Sequence, residues 1–383
     1  MHFGFVLPLV LAIVAIYHPP LLAKSDRQTT VSIHQGKWHL NGKVTYPGAK
    51  AEGLLMNVRM VNAVFEDAND KTRPKNFDAD VNTDRFIRKI PDYVDHGVRA
   101  FTLCLQGGTP GYEGAVNTCF RPDGSLRESY LKRVQKVIEV CDRHGAVVIL
   151  GCYYQRQDQI LRDEKAVKAG VVNVVRWIRK MKFGNVVLEI TNEFGHGGFN
   201  HAILKSAKGQ VELIQLAKKI HPKLLVSTSD LGGGSFQDTV ARASDFLLIH
   251  FNNTRLENYQ ARIKSLKKYG KPIVCNEDQK YGKDGAKAAQ LCVENGASWG
   301  LMEEHLNQHF PFTFKGAADD PAIYDMLKTL AKAGNEKWSF VGKKEKNCNH
   351  DGSLDAQQGD NTDHGAMDVE DQLVVGMIPG KRS

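Results

Sequence analysis

The sequence lacks most of the short motifs that would identify a fold or a chemistry directly. Its seven cysteines include no CxxC pair and no spacing typical of small disulfide-rich domains. We expect buried free thiols, and a single disulfide through Cys104 or Cys119 stays open for an exported protein. The glycine cluster at 232–234 is not followed by the Lys-Ser or Lys-Thr pair of a phosphate-binding loop. A Ser-His-Asp arrangement with a nucleophile elbow is also absent.

Long hydrophobic runs are scarce, because only residues 3–17 form an extended apolar block, fifteen residues long. That length is short for a membrane span and suits the core of a signal peptide. Ala23 offers a small residue for cleavage, although the positive region that usually precedes the core is weak. We predict a cleaved signal peptide over residues 1–23, with an uncleaved anchor or a lipid-facing segment as the alternative. The mature protein would be secreted or periplasmic, without stable membrane association.

The excess of positive charge is modest, since 51 Lys and Arg against 43 Asp and Glu leave a net charge of +8. The basic residues are scattered along predicted helices, as at 165–182 and 264–271. This distribution is typical of solvated helix faces and not of a surface that binds nucleic acid, so we expect no nucleic-acid partner. Residues 343–383 are polar and lack periodicity, which predicts a disordered tail.

Between residues 24 and 342 the sequence contains a repeated strand–helix pattern, preceded by a hairpin. Residues 29–46 predict the hairpin, because Val31 and Ile33 alternate with polar residues and Asn41-Gly42 is a strong turn signal. Apolar runs then predict strands at 54–61, 100–105, 146–152, 185–191, 224–229, 246–251, 273–276 and 298–302. Helices are predicted at about 83–95, 126–143, 163–182, 200–220, 255–269, 284–295 and 321–333.

This pattern predicts an α/β fold, a (β/α)8 TIM barrel with the hairpin plugging its bottom. Eight strand–helix units over about 280 residues match such a barrel in count and size. An open doubly wound sheet is the alternative. It would need a glycine-rich loop after its first strand, where residues 60–65 read Met-Val-Asn-Ala-Val-Phe.

Two of the predicted strands end in a glutamate. The fourth runs into Asn192-Glu193, and the seventh runs into Asn276-Glu277. In a barrel of parallel strands these ends face a common mouth, where such folds carry their chemistry. Two carboxyl groups there can act as acid and nucleophile on one bond. We therefore predict that Glu193 and Glu277 are catalytic.

The surroundings of the two glutamates would decide their roles. If Glu193 lies in a mostly apolar pocket, its pKa rises and it can donate a proton at neutral pH. Glu277 would need hydrogen-bonding partners that keep it nucleophilic. Asn192 can orient a substrate hydroxyl beside Glu193.

In this order along the chain, Asn192-Glu193, His250 on the sixth predicted strand and Glu277 resemble the clan A glycoside hydrolases. The resemblance is closest to the cellulase-type glycoside hydrolase family 5 and covers roughly residues 29–340. It implies that Glu193 is the general acid/base and Glu277 the nucleophile. It further implies that Asn192 contacts the sugar 2-hydroxyl and that His250 lines the adjacent subsite.

The sequence departs from the family at three positions. The tyrosine that usually follows the sixth-strand histidine is absent, and Asn252 could take its place beside Glu277. The family's third-strand histidine is also absent, and Tyr153, Tyr154 or Gln155 occupies that region. The family's second-strand arginine has no clean match in this sequence. Arg59 on the first predicted strand is therefore the candidate to pair with Glu277 and support its catalytic role. The alternative is that Arg59 forms an ion pair with a purely structural role.

Aromatic side chains near strand ends could stack on sugar rings. We predict Tyr154 and Trp299 as substrate contacts, although Trp299 begins the eighth strand and could equally belong to the core. Further aromatic candidates are Tyr112, Phe194 and Tyr281. The sequence Glu303-Glu304-His305 offers poor ligand geometry, because neighbouring side chains point apart, so we predict no metal site.

Together these residues predict a secreted retaining glycoside hydrolase that cleaves O-glycosidic bonds of a β-linked poly- or oligosaccharide. It would act as a monomer and need no cofactor, with the Glu193 and Glu277 carboxyls about 5–5.5 Å apart. The alternative is a catalytically inactive barrel that binds carbohydrate, which the missing tyrosine and histidine motivate. A metal-dependent barrel hydrolase is a third alternative.

Overall fold

The computed structural model describes Met1 and residues 28–334 of the chain. The predicted polar tail and, apart from Met1, the predicted signal peptide lie outside the described residues. The predicted domain at 24–342 therefore begins and ends beyond them. No helix in the described part of the chain is long and apolar enough to cross a membrane.

The N-terminal region forms a three-stranded antiparallel sheet in place of a single hairpin. Its strands are β1 (Val31–His34), β2 (Lys37–Leu40) and β3 (Lys43–Val44). Asn41 and Gly42 form the predicted turn between β2 and β3 with φ angles of 52° and 75°, a conformation that Asn-Gly favours. Trp38 is fully buried, and its ring meets Phe246 edge-on at 5.2 Å. The sheet therefore plugs the end of the barrel where the strands begin, as predicted.

Eight parallel strands follow and form a closed ring. They are β4 (Asn57–Arg59), β5 (Ala100–Cys104), β6 (Val147–Tyr153), β7 (Val186–Thr191), β8 (Val226–Ser227), β9 (Leu247–His250), β10 (Ile273–Glu277) and β11 (Gly300–Leu301). Ladders join β11, β4, β5, β6, β7 and β8 in that order, and β9 with β10. Single parallel bridges, Ser229 with Leu248 and Val274 with Ser298, connect the remaining neighbours. The predicted (β/α)8 barrel is thus confirmed.

Helices alternate with the barrel strands along the chain. They are α1 (Ala79–Ile87), α2 (Ile90–Asp95), α3 (Glu128–Arg143), α4 (Glu164–Met181), α5 (Ala202–Lys205), α6 (Ala207–Ile220), α7 (Asp238–Ala243), α8 (Tyr259–Leu266), α9 (Gly282–Glu294) and α10 (Pro321–Ala331). The helix predicted at 200–220 is interrupted, because Ser206 is extended and its side chain caps α6 by accepting the Gly209 N–H. The sequence did not predict α7, whose six residues are too few to show a helical period.

The interior of the barrel changes character along its axis. Near the beginnings of the strands, buried apolar side chains form one cluster: Trp38, Leu55, Ala100, Val147, Ile149, Val187, Phe246, Leu248 and Val274. Toward the ends of the strands, the buried side chains are charged or polar: Arg59, Glu189, His250 and Glu277. The apolar runs of the sequence therefore seal one end, and the polar residues that close them gather at the other.

The six cysteines among the described residues are free and buried, in agreement with the expectation of small apolar side chains. Burial raises the pKa of the Cys104 and Cys119 thiols to about 12, so both stay protonated at neutral pH. Neither of the two cysteines considered for a disulfide forms one.

Candidate active site

Glu193 follows β7 and directs its carboxylate toward the ends of the neighbouring strands. Its φ of 53° is left-handed, which costs about 1–2 kcal/mol for a residue other than glycine. Ser229 holds this turn, because its Oγ accepts the Glu193 N–H at 2.9 Å and its carbonyl accepts the Phe194 N–H at 3.0 Å. Glu193 Oε1 lies 3.2 Å from His250 Nδ1, and Oε2 accepts a hydrogen bond from Gln155 at 3.3 Å. With 16% of the side chain exposed, the carboxylate remains accessible.

Glu277 ends β10 and is more enclosed, with 8% of its side chain exposed. The pairing register with β9 shifts between Cys275 and Glu277, so that Glu277 pairs with His250. Irregularities of this kind re-aim a side chain at the end of a strand. Glu277 Oε2 lies 3.0 Å from Arg59 Nη2, and Oε1 accepts a hydrogen bond from Asn252 Nδ2 at 2.6 Å. An ion pair with Arg59 and a hydrogen bond from Asn252 therefore hold the two carboxylate oxygens.

His250 lies between the two carboxylates, with Nδ1 3.2 Å from Glu193 Oε1 and 3.5 Å from Glu277 Oε2. One carboxylate oxygen of each glutamate and one ring nitrogen of His250 all lie within 4.8 Å of one another. Carboxyl groups this close can act together on one bond, whereas pairs that leave room for a water lie about 6.5–9.5 Å apart. The structure brings these three predicted residues together, and their catalytic roles stay predictions.

The protonation of the site differs from the sequence-based expectation. Burial alone would raise the pKa of Glu193, but the hydrogen bond and charge of His250, with the charge of Arg59, hold it below its ordinary value. Burial alone would lower the pKa of His250, yet the Glu277 and Glu193 carboxylates raise it. Both shifts favour the proton on His250 over Glu193. The apolar pocket that would have raised the pKa of Glu193 is not present.

Arg59 and Asn192 connect the two carboxylates through polar contacts. Arg59 is fully buried, and its Nη2 donates to Asn192 Oδ1 at 3.0 Å as well as pairing with Glu277. Asn192 Nδ2 in turn donates to Gln155 Oε1 at 3.2 Å. Because Gln155 also contacts Glu193, a continuous set of contacts runs from one carboxylate to the other. The ion pair predicted between Arg59 and Glu277 is present.

Two residues contact the carboxylates in the regions where the sequence departs from the family that it resembles. Asn252 supplies the hydrogen bond to Glu277 for which a tyrosine was expected. Gln155 contacts Glu193 in the region of the absent third-strand histidine. The sequence pointed to both regions but left Tyr153, Tyr154 and Gln155 open for the second.

The two predicted aromatic contacts have different positions. Tyr154 borders a cavity beside Glu193, and its ring lies 5.9 Å from the guanidinium carbon of Arg59. Trp299 is fully buried in the core, and its indole N–H donates to Asp278 Oδ2 at 2.8 Å. The prediction that Trp299 contacts substrate is therefore wrong, because this residue precedes β11 and lies at the start of the strand, away from the mouth.

A cavity of about 810 Å³ lies beside Gln155, which contacts Glu193. It is lined by residues 107–116, by Tyr154, Gln155, Arg156 and Gln157, and by His196. Gly107 lets the first of these segments approach closely, because a Cβ at this position would lie 2.1 Å from the Tyr154 ring. Gln155 both lines the cavity and contacts Glu193, so it connects the cavity to this carboxylate.

Metal binding has one candidate group among the described residues, formed by Glu193, His250 and Glu277. Arg59 already places a positive charge 3.0 Å from Glu277, which disfavours a cation at the same point. The sequence at 303–305 forms no such group. Glu303 caps a helical turn, and Glu304 pairs with His309.

Several residues that shape the site were missed by sequence reasoning. Ser229, which holds the Glu193 turn, is one serine at the end of a short strand. The glycine cluster, by contrast, was a usable signal. The N–H groups of Gly233 and Gly234 both donate to the His250 carbonyl, and a Cβ at Gly234 would lie 2.2 Å from the Phe251 ring. The cluster therefore packs against the end of β9.

Comparisons with known proteins identify the fold. No protein-family model and no curated protein matches the sequence. A glycoside hydrolase candidate from Bacteroides vulgatus is similar in structure, with a TM-score of 0.56 and 12% identity over 80% of this chain. This chain covers only 61% of the length of that protein.

Two further structures are matched over nearly their whole length. The β-mannanase of the blue mussel Mytilus edulis has a TM-score of 0.53 and 10% identity, over 80% of this chain and 97% of its own. A GH5-4 broad specificity endoglucanase from Clostridium longisporum has a TM-score of 0.50 and 12% identity, over 75% and 99%. The chain thus has the (β/α)8 fold of glycoside hydrolase family 5.

Proposed function

We propose that the protein is a secreted glycoside hydrolase that cleaves β-linked poly- or oligosaccharides with retention of configuration. The main observation behind this proposal is that oxygens of the Glu193 and Glu277 carboxylates lie within 4.8 Å of each other. Retaining enzymes place their carboxyls about 5–5.5 Å apart, so that one attacks the anomeric carbon while the other protonates the leaving oxygen.

Glu277 is the nucleophile in this proposal. Its attack forms a glycosyl ester and breaks the bond to the leaving oxygen. Arg59 and Asn252 fix the orientation of the carboxylate through one contact to each oxygen. Asn192, held by Arg59 and Gln155 beside Glu193, is the proposed contact for a sugar hydroxyl.

Glu193 is the proposed general acid and base. It needs a proton to protonate the leaving oxygen, and His250 holds one within a single hydrogen bond of 3.2 Å. Transfer of that proton to Glu193 Oε1 would prepare it for the first step. In the second step Glu193 accepts a proton from the water that releases the sugar from Glu277.

The cavity beside Glu193 supports an extended saccharide as the substrate. Its lining combines backbone and side-chain polar groups with the rings of Tyr112 and Tyr154, a mixture suited to sugar hydroxyls and to sugar faces. Because the similar structures include a β-mannanase and an endoglucanase, β-mannans and β-glucans are the first substrates to test. The proposal includes a monomeric enzyme without cofactor, exported by a signal peptide, and no nucleic-acid partner.

The test compares the purified protein with Glu277→Gln on a panel of β-mannans and β-glucans, with products identified by mass spectrometry. The wild type should release oligosaccharides, and Glu277→Gln should not. Glu257→Ala, which removes an exposed carboxylate after β9, is the matched control and should behave as the wild type. Equal turnover by Glu277→Gln and the wild type would overturn the assignment.

A carbohydrate-binding barrel without turnover is the second candidate. The observation that favours it is the low pKa of Glu193, set by burial and by the opposing hydrogen bond and charge of His250, since an ionised carboxyl cannot act as an acid. Calorimetric binding of intact oligosaccharide with no product after long incubation would support this candidate. Any cleavage that depends on Glu193 would eliminate it.

A further inference from the structure

A third carboxyl group, Glu189, lies close to the proposed catalytic pair. It is on β7, and no part of it is exposed. Its Oε1 accepts a hydrogen bond from Ser229 Oγ at 2.6 Å. Its Oε2 has no hydrogen-bond partner among the described residues. An apolar side chain would fill this position without the cost of burying a carboxyl, so the carboxyl calls for a specific reason.

Ser229 relays the contact from Glu189 to Glu193. Its Oγ donates its single proton to Glu189 and accepts the Glu193 N–H at 2.9 Å. A hydroxyl has one proton, so donation to Glu189 leaves a lone pair free for that N–H. Without this acceptor the proton has an alternative in the Thr191 carbonyl, 3.5 Å away, and the hydroxyl would turn.

The backbone conformation at Glu193 needs hydrogen bonds of this kind to keep it in place. Its left-handed φ of 53° is unfavourable for a residue with a side chain. The N–H groups of Glu193 and Phe194 both end on Ser229, one on its hydroxyl and one on its carbonyl. A strained turn at a functional site persists only where its surroundings fix it.

The charges that face Glu189 allow this role over a range of protonation states. Burial raises the pKa of Glu189, Arg59 and His250 oppose that rise, and Glu277 adds to it. Cys104 also lies nearby and is protonated. A neutral carboxyl still accepts the serine hydrogen bond through its carbonyl oxygen, so orientation of Ser229 does not require a charge.

We propose that Glu189 is a positioning residue for Glu193. Its carboxyl orients the Ser229 hydroxyl, and that hydroxyl holds the left-handed turn that places the Glu193 carboxylate beside His250. The effect on turnover rests on the proposed glycoside hydrolase function. The hold on the backbone does not, and it can be measured without substrate.

The experiment measures hydrogen–deuterium exchange of a peptide that contains the Glu193 amide, by mass spectrometry, in Glu189→Ala, Ser229→Ala and Glu189→Gln. The first two should exchange this amide roughly tenfold faster or more, because its hydrogen bond is lost. Glu189→Gln should stay near the wild-type rate, because its amide oxygen accepts the same bond. Ser227→Ala is the matched control, since Ser227 donates to the Phe246 carbonyl and does not contact Glu193.

Turnover provides the second readout. Glu189→Ala and Ser229→Ala should lower kcat by about 10- to 100-fold with KM nearly unchanged, because a misplaced general acid slows the chemical step. Glu189→Gln should restore kcat to within a few-fold of the wild type. If Glu189→Ala does not fold, Ser229→Ala and Glu189→Gln carry the test.

Unchanged exchange of the Glu193 amide in Ser229→Ala would overturn the proposal. Exchange in Glu189→Gln as fast as in Ser229→Ala would also overturn it, because charge and not an accepted hydrogen bond would then be required. A wild type inactive on every saccharide would reject the proposed function, while the exchange rates would still decide the positioning role.

Discussion

The two ends of the barrel interior are built from the same segments of chain and hold opposite kinds of side chain. At the end plugged by β1–β3, these segments contribute Leu55, Val187, Leu248 and Val274. At the mouth the same segments contribute Arg59, Glu189, His250 and Glu277. The change takes only a few residues in each strand, so one set of strands supplies both a sealed base and a reactive mouth.

Because the two ends hold different side chains, the plugged end contributes mainly to stability and the mouth mainly to the proposed chemistry. Apolar side chains at the plugged end stabilise the fold by roughly 25 cal/mol per Å² of surface buried. Charged side chains at the mouth are costly to bury and are retained because each has a partner, as Arg59 has Glu277. The comparison predicts that substitutions at the plugged end change stability and that substitutions at the mouth change turnover.

The largest expected effect is the loss of turnover in Glu277→Gln. Removal of the nucleophile should lower kcat on the order of 10⁴-fold or more, while the variant still folds. Initial rates on the preferred oligosaccharide and a thermal melt measure the two quantities. A variant that is strongly destabilised but keeps its rate would place Glu277 with the structural residues and break the comparison.

Glu193→Gln should lower kcat by about 10²- to 10⁴-fold on natural saccharides, because the leaving oxygen then receives no proton. The first step should be almost unaffected on a nitrophenyl glycoside, whose leaving group departs as an anion. Stopped-flow release of nitrophenolate measures that step separately. An equal loss on both substrates would contradict the acid role.

Trp38→Ala tests the other end of the barrel. It should lower the free energy of unfolding by about 3–5 kcal/mol, because a large buried ring is removed from a packed cluster. Urea unfolding gives this value, and kcat measured well below the melting temperature should match the wild type. Lys43→Ala, an exposed position on β3, is the control for both measurements. A lower kcat in folded Trp38→Ala would mean that the two ends are coupled.

The smallest expected effect is the pH dependence of stability set by His250. Its pKa is raised in the folded state, because the carboxylates outweigh burial, so its contribution is full below about pH 6.5 and is lost as pH rises through the folded value. The pKa of Glu193 is lowered, so its contribution is full above about pH 4.3 and is lost as pH falls through the folded value.

The measurement for this prediction is urea unfolding of the wild type and of His250→Gln at several pH values. The stability difference between the two should be largest between about pH 5 and pH 6.5 and should shrink on both sides. A difference that grows steadily with pH would show that the histidine is neutral in the folded protein.

The barrel and the two carboxylates could be predicted because both depend on local patterns. Apolar runs that end in Asn192-Glu193 and in Asn276-Glu277 place their last residues at one edge of a parallel sheet. This placement does not depend on the conformation of the loops. Asn41-Gly42 fixed the turn of the plug for the same reason, since a two-residue turn needs no distant partner.

The rest depends on which side chains meet across the barrel, and no local pattern states that. The sequence left Trp299 open between a substrate contact and the core, and its side chain is buried in the core. Burial would raise the pKa of Glu193, but a histidine on β9, far away in the chain, lowers it. The contact of Glu189 with Ser229 joins β7 to a residue two positions beyond β8, and neither residue carries a motif.

The most direct test of the central claim is the anomeric configuration of the first product, followed by proton NMR during hydrolysis of a β-linked oligosaccharide by the wild type. Carboxyls as close as those of Glu193 and Glu277 predict that the β-anomer appears first and then mutarotates. Initial appearance of the α-anomer, or no cleavage of any β-linked substrate, would contradict the account.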